Sequence, residues 1–163
     1  NIDNGASGGN NGSSSAPSNL APTSIITSAG YRYSGNYIMG ISPETTVSAL
    51  KGTLESIGGS GVVTITNSGG GSVSSNSAVG TGYQVTINGT TKSTYRVVIY
   101  GDVSGDGKVG SLDLLKLQKH LLNAEKLSGA YLESADANKD GKLLSLDLLV
   151  IQKHVLKAES IKQ

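Results

Sequence analysis

An internal repeat constrains this chain more than any other feature. SLDLLKLQKHLLNAE, Ser111 to Glu125, aligns without gaps on SLDLLVIQKHVLKAE, Ser145 to Glu159, with 11 of 15 positions identical and an offset of 34 residues. Each copy overlaps the end of an aspartate-rich dodecapeptide, DVSGDGKVGSLD from Asp102 to Asp113 and DANKDGKLLSLD from Asp136 to Asp147. Leu114, Leu117 and Leu121 fall at i, i+3 and i+7, as do Leu148, Ile151 and Val155, which is one face of a helix in each repeat. These two stripes are expected to pack on each other. Leu112, Leu115 and Leu122, with Leu146, Leu149 and Leu156, then point elsewhere, interleaved with Gln118, Lys119, Gln152 and Lys153. A domain of about 60 residues has little interior, so this second apolar face is either extra core or a docking surface.

The dodecapeptides place oxygen-bearing side chains at positions 1, 3, 5 and 12 and glycine at 6, the order in which an EF-hand-type loop presents donors to calcium. The candidate ligands are Asp102, Ser104, Asp106 and Asp113 in the first loop and Asp136, Asn138, Asp140 and Asp147 in the second. Calcium is a hard cation that takes six to eight oxygens, and alternate residues of a tight loop point inward to supply them. Position 7 gives only its backbone carbonyl, so Lys108 and Lys142 are compatible with that place. Position 9 is Gly110 or Leu144, neither able to coordinate through its side chain, so solvent is expected to complete each ion. Six of the twelve acidic residues of the chain lie in these two windows, which argues against a chance pair of Asp/Gly turns. Two calcium ions are expected.

GDVSGDGKV, from Gly101, followed by the duplicated loop and helix, resembles the dockerins of cellulosome-type assemblies. The resemblance runs from Gly101 to about Ile161. It implies an all-α, EF-hand-like domain of two calcium loop-helix segments that binds a cohesin module on a scaffoldin or anchoring protein. Family contacts concentrate at loop positions 10 and 11 and on the outer helix face. Carried over, these are Ser111, Leu112, Leu115, Gln118, Lys119, Leu122 and Asn123, then Ser145, Leu146, Leu149, Gln152, Lys153, Leu156 and Lys157. Because the two faces are nearly identical, a pseudo-twofold rotation would present almost the same surface, so binding in two orientations is expected.

The rest of the chain reads as two further parts. Residues 1–24 are nearly all Gly, Asn, Ser and Pro, a composition that cannot bury enough apolar surface to offset ordering entropy. They read as an interdomain linker, so the chain is expected to be the carboxy-terminal piece of a larger protein. From 25 to 100, Val/Ile/Thr/Tyr-rich segments predict strands at Tyr37–Ile41, Val62–Asn67, Tyr83–Asn88 and Thr94–Tyr100. One helix is expected between them, N-capped by Ser42 with Pro43 at N1 and Glu44 in the first turn, burying Val47, Leu50, Leu54 and Ile57. Strand, helix, then two hairpins turning at Gly69–Gly71 and near Asn88–Thr91 suggest a β-rich module, β-grasp-like or a sandwich. The fold class is therefore multidomain α and β, with residues 101–163 as the docking domain. The module's position directly before Gly101 is similar to that of the X modules that precede some dockerins.

Several functions are disfavoured. A net charge of +1 gives no electrostatic case for nucleic acid, and no apolar run approaches a membrane span. The absence of cysteine excludes disulfides and thiolate zinc sites. His120 and His154 occupy equivalent places in the repeat rather than forming a base with a distinct orienting partner, and no nucleophile elbow or phosphate loop is present, so no enzymatic role is expected for this chain. The expectation is a calcium-dependent docking module of a secreted, extracellular or cell-surface bacterial protein, touching polysaccharide only through its parent. The alternative is a carbohydrate- or cell-wall-binding module in which calcium is only structural, the Ile25 to Tyr100 unit and its tyrosines doing the work.

Overall fold

The computed structural model describes residues 18–163; the linker expected for residues 1–24 therefore lies largely outside the described residues. Its last part is helical instead. Pro22 opens α1 (Pro22–Ser28), where its fixed φ suits the first turn, and Ile25 and Ile26 are fully buried. Apolar burial thus begins three residues earlier than composition suggests.

A hairpin of β1 (Arg32–Ser34) and β2 (Tyr37–Met39) follows, of which only the second strand is anticipated from sequence. Helix α2 (Val47–Gly58) starts at N-cap Thr46, whose Oγ1 accepts from the Ala49 N–H at 3.2 Å, and not at Ser42. The reason is tertiary: Glu44 sits at φ 65°, outside the helical region, and donates its N–H to the Gly107 carbonyl at 2.7 Å. Val47, Leu50 and Leu54 are buried, whereas Ile57 is 37% exposed and Gly58 takes the inward place beside Ile25 and Val62.

Strands β3 (Val63–Thr66), β4 (Gln84–Asn88) and β5 (Lys92–Val97) complete one mixed sheet in the order β1-β2-β5-β4-β3, with β2 and β5 parallel and the other pairs antiparallel. A single sheet is present among the described residues, which does not match the sandwich option. The β4–β5 turn falls at Gly89–Thr91, as expected. The β3–β4 link is not a tight hairpin. It turns at Asn67–Gly71, where the Asn67 Oδ1 accepts from Gly69 and Gly71, then runs back along the N-terminus of α2, with Val47 N–H to Ser77 O and Thr46 bridging Ala78. That excursion brings Thr81 and Gly82 beside the end of β5, with Gly82 N–H to Val97 O at 2.8 Å and Thr81 Oγ1 hydrogen-bonded to Ile99.

Helices α1 and α2 cover one sheet face, enclosing Ile38, Ile65, Val85, Ile87, Val97 and Ile99. The β5 strand then continues with its period-2 alternation into a second core: Val97 and Ile99 point into the first cluster, while Val98 and Tyr100 join Met39, Leu117, Ala130, Ala135 and Ile151 in the other. The chain after Tyr100 is helical, with α3 (Ser111–Leu121), α4 (Gly129–Ala135) and α5 (Ser145–Val155). The short α4 has no counterpart in the sequence reading. It is stitched to the junction by Gly101 N–H to Ser134 O (2.8 Å) and Ser134 Oγ to Asp102 O (3.1 Å).

Candidate functional site

Each dodecapeptide forms a loop leading into α3 or α5, and its aspartates organise it. In the first, the Asp102 Oδ1 accepts from Gly105 N (2.8 Å) and Asp106 N (3.1 Å), and its Oδ2 from Gly107 N (3.1 Å). In the second, the Asp136 Oδ1 accepts from Asp140 N (3.1 Å) and Oδ2 from Gly141 N (2.8 Å). Position 12 closes the loop and caps the helix at once. Asp113 accepts from Ser104 N at 2.7 Å and, at N3 of α3, from Gly110 N at 2.7 Å; Asp147 accepts from Asn138 N at 3.3 Å and Leu144 N at 2.9 Å. A carboxylate at N3 that reaches back to the N-cap N–H satisfies an otherwise orphan donor and favours the positive end of the helix dipole. Asp106 and Asp140 each accept from the residue two further on, Lys108 and Lys142.

Asp102, Asp113 and Asp147 are buried to 1% exposure or less. Burial pushes the Asp102 carboxyl up to about 6, with the Asp113 charge adding to the rise and the Thr81 and Gly107 N–H groups opposing it. Asp113 and Asp147 are raised for the same first reason, with neighbouring loop aspartates contributing and backbone N–H groups opposing. Ion pairs among the described residues involve Glu55, Glu125 and Glu159, and none involves a loop aspartate. No group of three or more His, Cys, Asp or Glu converges among the described residues as a ready-made metal cluster. The donor set is mixed instead, with Ser104, Asn138 and the carbonyls of Lys108 and Lys142 beside the carboxylates. Buried, mutually repelling carboxylates with no cationic side chain, on a loop rich in hard oxygens, fit a calcium ion.

On the helices, Leu117 and Ile151 are fully buried at the α3–α5 contact, flanked by partly buried Leu114, Leu121, Leu148 and Val155. The second apolar face stays outside. Leu112, Leu115 and Leu122 are 47, 47 and 79% exposed, and Leu146, Leu149 and Leu156 are 50, 45 and 70% exposed. Ser111, Gln118, Lys119 and Asn123, with Ser145, Gln152, Lys153 and Lys157, are also exposed. His120 and His154 have a structural role: Nδ1 of each accepts a backbone N–H seven residues on, from Leu127 at 3.0 Å and Ile161 at 3.1 Å, which ties down the segment after the helix. Asn123 and Lys157 end the two helices in matching left-handed conformations, φ 57° and 56°.

Sequence reasoning missed the neighbours of the first loop. The Thr81 N–H donates to Asp102 Oδ2 at 2.8 Å, 21 residues away in sequence, and no side-chain pattern announces it. Nor does any signal mark Gln163, whose amide accepts from Tyr100 N (2.8 Å) and donates to Tyr100 O (3.0 Å).

Residues 100–156 match the family model of the dockerin type I domain, and this part of the chain is a dockerin. Dockerins are non-catalytic docking modules that engage cohesins in a calcium-dependent way. No curated protein matches the chain. Among the described residues no helix is long and apolar enough to cross a membrane.

Proposed function

We propose that this chain attaches a secreted bacterial parent protein to a cohesin-bearing scaffold or cell-surface anchor through the outer faces of α3 and α5, with one calcium ion in each loop. The observation that carries the reading is the matched pair of exposed leucine faces, Leu112, Leu115 and Leu122 against Leu146, Leu149 and Leu156, on helices whose opposite stripes are buried against each other. Six large apolar side chains left in water on a domain of this size are characteristic of an interaction surface. When bound, calcium neutralises the loop carboxylates, and Asp102, Ser104, Asp106, Asp113 and the Lys108 carbonyl, or Asp136, Asn138, Asp140, Asp147 and the Lys142 carbonyl, would hold it. Binding energy is then also folding energy for the loop ends of both helices.

In this reading the chain divides into a Gly/Ser/Asn-rich tether, a β-rich module ending at Tyr100 that is similar in position to an X module, and the docking domain from Gly101. Calorimetric titration against a panel of type I cohesins, with and without chelator, tests it: calcium-dependent binding to at least one cohesin is expected, and binding to none would overturn it. The near-identity of the two faces supports docking in either of two orientations. Replacing Ser111 and Leu112 together is expected to leave affinity within a few fold, and replacing Ser145 and Leu146 as well to abolish it. Loss of binding from the first pair alone would exclude the second orientation.

A further inference from the structure

The two loops carry the same side-chain donors at positions 1, 5 and 12, with Ser104 or Asn138 at position 3, in unlike surroundings. In the second loop a Cβ added at Gly141 would meet open space, and Asp136 is half-buried. In the first, a Cβ on the equivalent Gly107 would stand 2.6 Å from the Val79 carbonyl oxygen. Position 4 makes the contrast sharper. Gly105 and Lys139 are both left-handed, at φ 81° and 62°, so the backbone shape is shared and a lysine is compatible with it. Yet a Cβ on Gly105 would lie 2.7 Å from the Thr81 carbonyl oxygen and 2.8 Å from the Tyr131 ring, while Lys139 is exposed with its ammonium 4.4 Å from the Tyr100 ring centre. Gly80 fits on the other side of the same contact, its missing Cβ 1.9 Å from the Gly105 carbonyl oxygen.

The β-module therefore grips the first loop from outside, and it does so through polar groups as well as shape. Thr81 donates its N–H to Asp102 Oδ2, so that oxygen accepts two backbone donors where Asp136 Oδ2 accepts one. Thr81 is itself fixed: it is 1% exposed, and its Oγ1 accepts from Ile99 N at 3.1 Å and donates to Ile99 O at 3.3 Å. Glu44 N–H holds the Gly107 carbonyl. A ligand whose rotation is set before the ion arrives loses less freedom on binding, and outer partners of this kind are typically worth 10- to 100-fold in metal affinity.

Resting on the calcium reading above, we infer that the β-module is an outer shell of the first calcium loop, with Thr81 as positioning residue for Asp102, so that the two loops bind calcium unequally. The first loop is held in shape by the module and keeps its ion longest; the second, which meets the module through the Lys139 side chain over Tyr100 and not through its backbone or its aspartates, is ordered by the ion and releases it first. Partial chelation then empties one loop of the docking domain and leaves the other filled.

Calorimetric calcium titration of the metal-stripped full chain tests this without any partner. Two sites differing tenfold or more in Kd are expected, the tighter surviving in Asp136→Ala. Gly105→Lys gives the first loop the residue that the second already carries at position 4 and keeps every donor; it is expected to weaken the tighter site tenfold or more and leave the weaker one unchanged. Thr81→Val, which keeps the N–H but loses its anchorage to Ile99, is expected to act in the same direction by several fold and covers the case in which Gly105→Lys fails to fold. Lys139→Gly should alter neither site by more than a few fold. Equal sites in the unaltered chain, or a tighter site indifferent to Thr81→Val and to a folded Gly105→Lys, would overturn the inference and leave the calcium reading standing. Absence of calcium binding at either loop would overturn both.

Discussion

Asp113 joins three functions in one side chain: it closes the loop through Ser104 N, caps α3 through Gly110 N, and is a candidate calcium ligand. Asp113→Ala is therefore expected to weaken the first site at least tenfold, read by calcium titration, and to lower the metal-free unfolding midpoint as well; calcium-dependent stability equal to that of the unaltered chain would contradict the ligand assignment. Asp102 sets the pH dependence. Its carboxyl is raised from 3.8 to about 6 in the metal-free fold, so between those values the folded chain holds a proton that the unfolded chain has released. Folding stability then falls as pH rises through that window, and the raised Asp113 and Asp147 act in the same sense. Urea midpoints of metal-stripped protein should be higher near pH 4.5 than near pH 7, and calcium should reverse the trend by competing for the same oxygens. These loops were legible because their donors are local, spaced within twelve residues. Thr81 was not, because a backbone N–H arriving from 21 residues away leaves no mark in composition or periodicity.

Among the elements, the duplicated helices illustrate how one sequence serves two faces. Leu117 is fully buried between α3 and α5, and Leu122 is 79% exposed on the outer side. Leu117→Ala is expected to cost roughly 2–5 kcal/mol in thermal or urea unfolding, whereas Leu122→Ala should change stability by less than about 0.5 kcal/mol and be felt only in partner affinity. A stability loss at Leu122 comparable to that at Leu117 would mean the outer face is core. The α3 and α5 stripes were readable because 3.6-residue periodicity is intrinsic to the segment. The start of α2 was not: Ser42-Pro43-Glu44 has good capping chemistry, but the Glu44 N–H bonds Gly107 instead of water, and the helix waits for Thr46. Ile57 was placed inside by the same periodicity, yet Gly58 takes the place against Ile25.

Across the described residues, the junction of sheet and helices is closed by Ile161 and Gln163. Ile161 packs in the helical core, and Gln163 makes both hydrogen bonds of a strand partner to Tyr100, the residue where the β-module meets the first loop. Deleting 160–163 removes a buried isoleucine and two hydrogen bonds from one junction and is expected to lower the unfolding free energy by roughly 2–4 kcal/mol, read as a lower urea midpoint. An unchanged midpoint would show that the junction is held by Val98, Tyr100 and Met39 alone. This closure also means that excising residues 101–163 would uncover the face now filled by those three side chains.

The sequence by itself determined the repeated loops, their donor order, the inner and outer stripes of α3 and α5, the β4–β5 turn and the dockerin class, because each depends on residues within a few turns of one another. Only the tertiary structure decided which loop is backed and which is free. The 67–83 excursion brings Gly80 and Thr81 against Gly105 and Asp102, and dodecapeptides identical at 7 of 12 positions sit in unlike surroundings because the backbone and Asp102 of one pack against the β-module while the other meets it through the Lys139 side chain over Tyr100.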